Sequence, residues 1–223
     1  MKSILTVISL LFFNYYFGQN DIEIEIINDT IKKVSSFDQN NVVYAITNNS
    51  EKNYLLILDD TEFNEDPDYK VEPFFIGLPD YYIYEKNILL TPMFSFGARS
   101  TNIISKIEVT SKEFKKFHKQ FAAIFDEYEM EIAYRISKKI VNLKPKEKKI
   151  FVTKVNFPNY KGRYFNLKNK SNYFFQISLQ NSNEDISKYY KVITNTSEKV
   201  FSVFTGQIYS NKIPLVYEIY NSQ

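Results

Sequence analysis

Cysteine and tryptophan are absent from this chain, and histidine occurs once and glycine five times among 223 residues. The absence of cysteine excludes disulfides, thiolate metal sites, cysteine nucleophiles and cysteine-linked lipid anchors. Five glycines leave little material for phosphate-binding loops. A chain of this length buries roughly 70% of the surface that its unfolded form exposes, so we expect it to fold without a disulfide or a metal.

Aromatic residues are abundant instead: 18 tyrosines and 20 phenylalanines make up 17% of the chain. Hydrophobic residues account for 44% and charged residues for 24%, which is typical of a globular protein and excludes a wholly disordered one. Basic and acidic residues number 28 and 26, so the formal net charge is only +2. This balance argues against a nucleic-acid partner, which usually requires a basic excess on one face.

The first 18 residues have the pattern of a secretory signal peptide. Lys2 supplies the positive start, residues 4–17 form an apolar run without a charge, and Gly18 is a small residue at the expected cleavage point. The run falls short of the roughly 20 residues that span a bilayer, and no later segment reaches that length. An uncleaved N-terminal anchor and a buried first strand are the alternatives.

These features predict export through a Sec-type signal over residues 1–18, followed by a single β-rich globular domain over 19–223. The mature protein is then periplasmic or secreted and has no transmembrane span.

Strand patterns follow this segment. Ile22, Ile24 and Ile26 alternate with Glu23 and Glu25, which predicts a half-buried strand. Three hairpins are predicted from β-rich runs around short polar connections: 42–47 with 53–58, 81–84 with 88–90, and 164–167 with 173–179. Further strand-like runs cover 149–157, 199–210 and 213–220, and a helical or irregular stretch covers 185–191.

One amphipathic helix is predicted near residues 111–128. Thr110 and Glu113 have capping-box spacing, and Val109 and Phe114 have the spacing of a hydrophobic staple. Apolar residues then recur at steps of three and four, at Phe114, Phe117, Phe121, Ile124, Phe125 and Tyr128. The end of the helix is open, because residues 131–137 fit both a continued helix and a strand; we favour the strand.

About nine short strands and one inserted helix predict a mainly β (α+β) fold, arranged as an antiparallel immunoglobulin-like sandwich. Leu143, Pro145 and Glu147 precede a predicted strand, and this L-x-P-x-E turn resembles the entry to a strand in bacterial immunoglobulin-like domains. The resemblance covers about fifteen residues, and no Cys…Trp…Cys framework accompanies it. We assign no family from it.

Three segments contain residue types that could carry chemistry. His118 lies at the margin of the helical stripe, where a boundary position is favoured over a catalytic one. Residues 59–68 hold six carboxylates, and a solvated loop is favoured over a calcium site, for which the first candidates are Asp59, Asp60, Glu62 and Asp66. The basic run 144–149 fits an exposed turn.

The candidate partner contacts are Phe74, Phe75, Tyr81, Tyr82 and Tyr84, an aromatic cluster broken by proline and glycine. Tyrosine is enriched at interfaces because it combines a rigid apolar ring with a polar tip. We therefore expect a non-enzymatic module that binds an unidentified protein or small ligand and needs no metal or cofactor. A structural envelope-associated role, or a hydrolase with paired carboxylates, is the alternative. The oligomeric state stays open.

Overall fold

The computed structural model describes residues 21–33, 39–64, 76–94, 106–160, 163–195 and 201–218. The expected signal segment 1–18, the aromatic pair Phe74 and Phe75, and the calcium candidate Asp66 lie outside these ranges.

Strands dominate the described ranges, and four helices accompany them. The strands are β1 Ile22–Ile26, β2 Ile31–Lys33, β3 Asn40–Asn48, β4 Tyr54–Ile57, β5 Asp80–Glu85, β6 Ile88–Leu89, β7 Met93–Phe94, β8 Ile140–Leu143, β9 Lys148–Val155, β10 Asn159–Tyr160, β11 Arg163–Tyr164, β12 Asn172–Asn181, β13 Ser202–Val203, β14 Gly206–Tyr209 and β15 Ile213–Tyr217. The helices are α1 Lys106–Thr110, α2 Lys112–Phe121, α3 Glu127–Lys138 and α4 Asn183–Thr194.

These strands form four sheets. Sheet A has the order β1-β3-β9, and sheet B has the order β2-β15-β12-β5-β6, with β14 also paired to β12. Sheet C has the order β13-β4-β8, and a small sheet D joins β10, β11 and β7. The pairs β2–β15 and β4–β13 are parallel and the others are antiparallel. The predicted mainly β, largely antiparallel class is therefore confirmed, although the described strands exceed nine.

Inward-facing residues of sheets A and B share one hydrophobic core. In β1, Ile22, Ile24 and Ile26 are buried while the alternating glutamates are exposed, which confirms the strand predicted there. Phe175 and Ile177 of β12 belong to the same core. Period-2 alternation in both sheets thus places one set of side chains in a common interior.

Sheet C is a middle layer between this core and a second one under the helices. Leu56 and Leu58 belong to the core shared with sheets A and B. Leu55 and Ile57 belong to the second core, which α2, α3 and α4 line with aromatic and aliphatic residues. A strand buried on both faces is a continuous apolar run, which explains the sequence Leu55 to Leu58.

The predicted hairpin of residues 42–47 with 53–58 is wrong. Strand β3 pairs with β1 and β9 in sheet A, whereas β4 pairs with β8 and β13 in sheet C. The short polar connection therefore carries the chain from one sheet to another instead of folding it back on itself.

The side chain of Asn48 explains this crossing. Its Nδ2 donates to the carbonyls of Lys52, Leu143 and Lys144 at 2.7, 3.2 and 2.9 Å, and its Oδ1 accepts from the Ser50 amide at 3.0 Å. The first residues after β3 therefore turn around Asn48, and the same side chain holds the β8–β9 connection, where the chain returns to sheet A.

Of the other two predicted hairpins, one is confirmed and one is wrong. Tyr84 pairs with Leu89 and Glu85 with Ile88, so β5 and β6 form the expected hairpin. A turn exists between residues 168 and 172, but β11 pairs with β7 and β10, while β12 pairs with β5, β14 and β15. The Tyr173 hydroxyl accepts from the Lys168 amide at 2.7 Å, and the Ser171 amide donates to the Lys168 carbonyl at 3.4 Å, so local hydrogen bonds close this turn without a strand ladder.

The predicted single helix near 111–128 is two helices. Ser111 rather than Thr110 caps α2, because its side chain accepts from the Phe114 amide, and α2 ends at Phe121. Asp126 then begins α3 with a capping box formed with Glu129.

The strand interpretation of residues 131–137 is wrong, because they lie inside α3. Met130, Ala133 and Tyr134 are buried at helical spacing, and Ile132 and Ile136 are also buried. Ile132, Tyr134 and Ile136 alternate only because α3 is apolar over a wide arc. The stretch predicted as helical or irregular at 185–191 belongs to helix α4.

Candidate functional site

The solvent-facing side of sheet B carries a group of tyrosines with amide and hydroxyl side chains between them. Alternation along β5 sends Tyr81 and Ile83 into the core and leaves Tyr82 and Tyr84 half-buried on the outer side. We call this surface the aromatic face and define it by Tyr82, Tyr84, Gln176, Tyr209 and Lys212; Ser178 lies under it and is fully buried.

Cross-strand hydrogen bonds hold the tyrosine hydroxyls of β5. Tyr84 Oη donates to Gln176 Oε1 at 2.8 Å, and Gln176 Nε2 donates to the Ser210 carbonyl at 2.7 Å. Tyr82 Oη lies 3.4 Å from Ser178 Oγ. Partial burial raises the pKa of both tyrosines further above its ordinary value of 10.

Tyr209 of β14 and Lys212 complete the surface. The rings of Tyr82 and Tyr209 have centroids 6.0 Å apart with an interplanar angle of 43°, and Tyr209 is 52% exposed. Lys212 Nζ lies 3.5 Å from the centroid of the Tyr84 ring, a cation–π contact. The aromatic face therefore combines open ring surface, fixed polar groups and one cation.

The structure places the predicted contact residues in different environments. Tyr82 and Tyr84 lie together on the aromatic face, whereas Tyr81 is a fully buried core residue and not a surface residue. Phe74 and Phe75 lie outside the described residues. Tyr209, Gln176 and Ser178 were missed, because only the pairing of β5, β12 and β14 brings them beside Tyr82.

Beneath the face, the ring of Tyr81 packs against a buried arginine. The guanidinium carbon of Arg163 lies 4.2 Å from the Tyr81 centroid and 5.1 Å from that of Phe165, and Arg163 is only 2% exposed. A desolvated guanidinium can stack on aromatic rings in this way. Sequence reasoning gave no sign of this contact, because a lone arginine in a polar loop resembles a surface residue.

Asp59, the first calcium candidate, is committed to ion pairs. Its two carboxylate oxygens lie 2.9 Å from Arg135 Nη2 and 2.9 Å from Lys139 Nζ. Burial alone would raise the pKa of Asp59, but hydrogen bonds from Thr61, Lys139 and Arg135 outweigh it and lower the pKa to about 2. Asp59 thus joins the loop after β4 to the end of α3.

Other candidate groups occupy ordinary positions. Within the described ranges, no three His, Cys, Asp or Glu side chains are grouped as a metal site would need. His118 is exposed on α2, with its ring centroid 6.1 Å from that of Phe114, at the edge of the apolar stripe as predicted. Lys144 and Lys146 lie in the turn between β8 and β9 and are exposed.

A separate open pocket of about 370 Å³ lies beside the start of β1. Its lining includes Asp21, Ile22 and Tyr54 together with residues 202–208. The Tyr54 hydroxyl donates to the Asp21 carboxylate, and this hydrogen bond raises the pKa of Tyr54 to about 12.

Over the described residues, the fold and this surface define a mainly β protein with four helices and an ordered tyrosine-rich sheet face. The chain matches no protein-family model and no curated protein sequence. Among the described residues, no helix has the length and apolar character needed to cross a membrane.

Proposed function

We propose that this protein is an exported, non-enzymatic binding module whose partner contacts the aromatic face. The proposal includes an immunoglobulin-like sandwich, supported by the core that sheets A and B share. Removal of residues 1–18 would take away no described element, because β1 begins at Ile22. Export is therefore compatible with an intact fold.

The observation that carries the proposal is the fixed position of the tyrosines. Tyr84 is held by Gln176 at 2.8 Å, and Lys212 covers one side of its ring at 3.5 Å. A side chain that is already ordered loses little conformational entropy when a partner binds. Tyrosine and tryptophan rings are enriched among the residues that dominate binding energy.

Asp59 is unsuited to act as a general acid or base. Asp59 holds Arg135 and Lys139, so its carboxylate links two elements and is already neutralised. A general acid or base would instead have a pKa close to the working pH, and the pKa of Asp59 is about 2.

The test is affinity purification of the tagged protein from its native host, with mass spectrometry of what co-purifies. The variant Y82A/Y84A/Y209A should lose a partner that the unchanged protein retains in fixed ratio. The control is Y128A/Y190A, because Tyr128 and Tyr190 on α3 and α4 are each 50% exposed, close to the 52% of Tyr209.

The results for the two variants decide whether the aromatic face is the binding site. Loss of the partner from the triple variant alone supports the aromatic face as the binding site. Retention by the triple variant, or equal loss from the control, contradicts it. Chemical turnover of a co-purified small molecule would overturn the non-enzymatic assignment.

A further inference from the structure

Four lysines form a straight basic stripe on helix α2. Lys112, Lys115, Lys116 and Lys119 follow the spacing i, i+3, i+4, i+7, and all four are exposed. At about 100° per residue they lie within an arc of about 100° on the helix surface. The buried residues Phe114 and Phe121 lie on the opposite side, so the stripe faces away from the core.

The stripe has no counterion among the residues that the structure describes. Within the described ranges, none of its lysines lies in an ion pair, while the helix's own carboxylate, Glu113, is paired with Lys138 at 2.6 Å. That interaction lowers the pKa of Glu113 through the hydrogen bond and charge of Lys138. The single acidic side chain of α2 therefore does not neutralise the stripe.

The acidic residues near α2 offset part of this charge. Glu129 is paired with Lys188 at 2.7 Å, whereas Asp126, which caps α3, and Glu127 are exposed carboxylates. Glu108 of α1, just before α2, is also exposed. The four lysines of α2 outnumber these three carboxylates and share one side of the helix, so that side is a positive surface.

We propose that the lysine stripe of α2 docks the protein on a membrane surface rich in anionic phospholipid headgroups. Lysine ammonium groups are mobile, strongly hydrated point charges, which suit a diffuse anionic surface. Protein–protein interfaces are depleted in lysine and need aromatic or aliphatic anchors, and the stripe contains none. Nucleic-acid interfaces commonly add arginine or stacking aromatic rings, which the stripe also lacks.

The contact is electrostatic and peripheral. The apolar side of α2 packs into the helical core through Phe114 and Phe121, so it is not available for insertion among acyl chains. Salt should therefore release the protein, because exposed charges are screened over about 10 Å at 0.1 M ionic strength. This inference goes beyond the proposed binding function, because α2 is not part of the aromatic face.

The test is co-sedimentation of the exported protein, purified from its native host, with two kinds of vesicle. One contains phosphatidylcholine alone, and the other also contains phosphatidylglycerol. The readout is the partition coefficient on the anionic vesicles divided by that on the neutral vesicles. Binding through an apolar segment would contribute equally to both coefficients, so it does not change the ratio.

The decisive variant is K112Q/K115Q/K116Q/K119Q. Each lysine near an anionic surface contributes about fivefold to binding, so the ratio should fall by at least about a hundredfold. The matched control is K32Q/K154Q/K168Q/K191Q, which removes the same charge from exposed lysines on four other segments and should keep the ratio. Thermal unfolding of both variants checks that each is folded.

Three results would overturn the proposal. The first is an equal fall in the ratio for the stripe variant and the control, since net charge alone would then explain binding. The second is a ratio near one for the unchanged protein, or one that does not fall with added salt. The third is stripe-dependent binding to a DNA duplex or an acidic polypeptide without binding to the anionic vesicles.

Discussion

The side-chain amide of Asn181 forms two hydrogen bonds with the backbone of Ile57. The Ile57 amide donates to Asn181 Oδ1 at 2.8 Å, and Asn181 Nδ2 donates to the Ile57 carbonyl at 3.1 Å. Both residues are buried, and they belong to β12 of sheet B and β4 of sheet C. The Asn181 side chain thus satisfies the backbone N–H and C=O of Ile57, as a neighbouring strand would, at the place where the two sheets meet.

Replacing Asn181 by alanine should lower the free energy of unfolding by about 2–6 kcal/mol, because two buried backbone groups lose their partners at about 1–3 kcal/mol each. Urea unfolding measures the change. Asn183→Ala, at an exposed position in the first turn of α4, is the control and should change stability by about 0.5 kcal/mol or less. Equal effects of the two substitutions would contradict the role assigned to Asn181.

Asp59 should make stability depend on pH at the acidic end. The pKa of Asp59 is about 2 in the folded protein and 3.8 as an unperturbed group, so the folded state favours the ionised form. Its contribution of about 2 kcal/mol is present above pH 3.8 and is lost as the pH falls toward 2.

The measurement is the unfolding free energy of the unchanged protein minus that of Asp59→Asn, followed between pH 6 and about pH 2. The difference should shrink by about 2 kcal/mol over that range, since the asparagine variant cannot titrate at residue 59. A difference that is constant with pH would show that the ion pairs with Arg135 and Lys139 do not hold the carboxylate as described.

Gly77 and Gly206 provide a matched pair that separates backbone strain from steric overlap. Both have positive φ, at +82° and +115°. A Cβ at Gly77 would lie 2.7 Å from Ile57 Cγ2, whereas a Cβ at Gly206 would have no atom within 4 Å. Gly206→Ala should therefore cost only the strain of about 1–2 kcal/mol, and Gly77→Ala should cost more. Thermal or urea unfolding that ranks Gly206→Ala as the more damaging substitution would contradict this geometry.

Removing the cap of α3 should destabilise the protein modestly. The Asp126 side chain accepts from the Glu129 amide at 2.7 Å, so Asp126→Ala should cost about 1 kcal/mol in urea unfolding. Asp126→Asn keeps an acceptor and should cost less. If the two substitutions cost the same, the hydrogen bond to Glu129 is not the source of the effect.

Local patterns predicted the elements that depend on local interactions. Alternation at Ile22, Ile24 and Ile26 predicted β1, and the short connection before Ile88 predicted the β5–β6 hairpin. The start of α3 was also present in the sequence, since Asp126 and Glu129 have capping-box spacing, but the continuous apolar stripe hid it.

Long-range contacts could not be predicted in this way. The crossing after β3 depends on Asn48 reaching the Leu143 carbonyl, 95 residues further along the chain. The candidate site likewise contains residues that a local pattern predicts and residues that only strand pairing brings in. Tyr82 and Tyr84 stood out as part of a local cluster, whereas Tyr209 joins them only through the pairing of β14 with β12. Tyr81 belonged to the same cluster, but strand alternation places it in the core.

Titration calorimetry with the captured partner measures whether the aromatic face is the binding site. Loss of two or more dominant contacts at about 2 kcal/mol each predicts that Y82A/Y84A/Y209A binds at least about a hundredfold more weakly. Y128A/Y190A should bind as the unchanged protein does. An unchanged affinity for a folded triple variant would contradict the account.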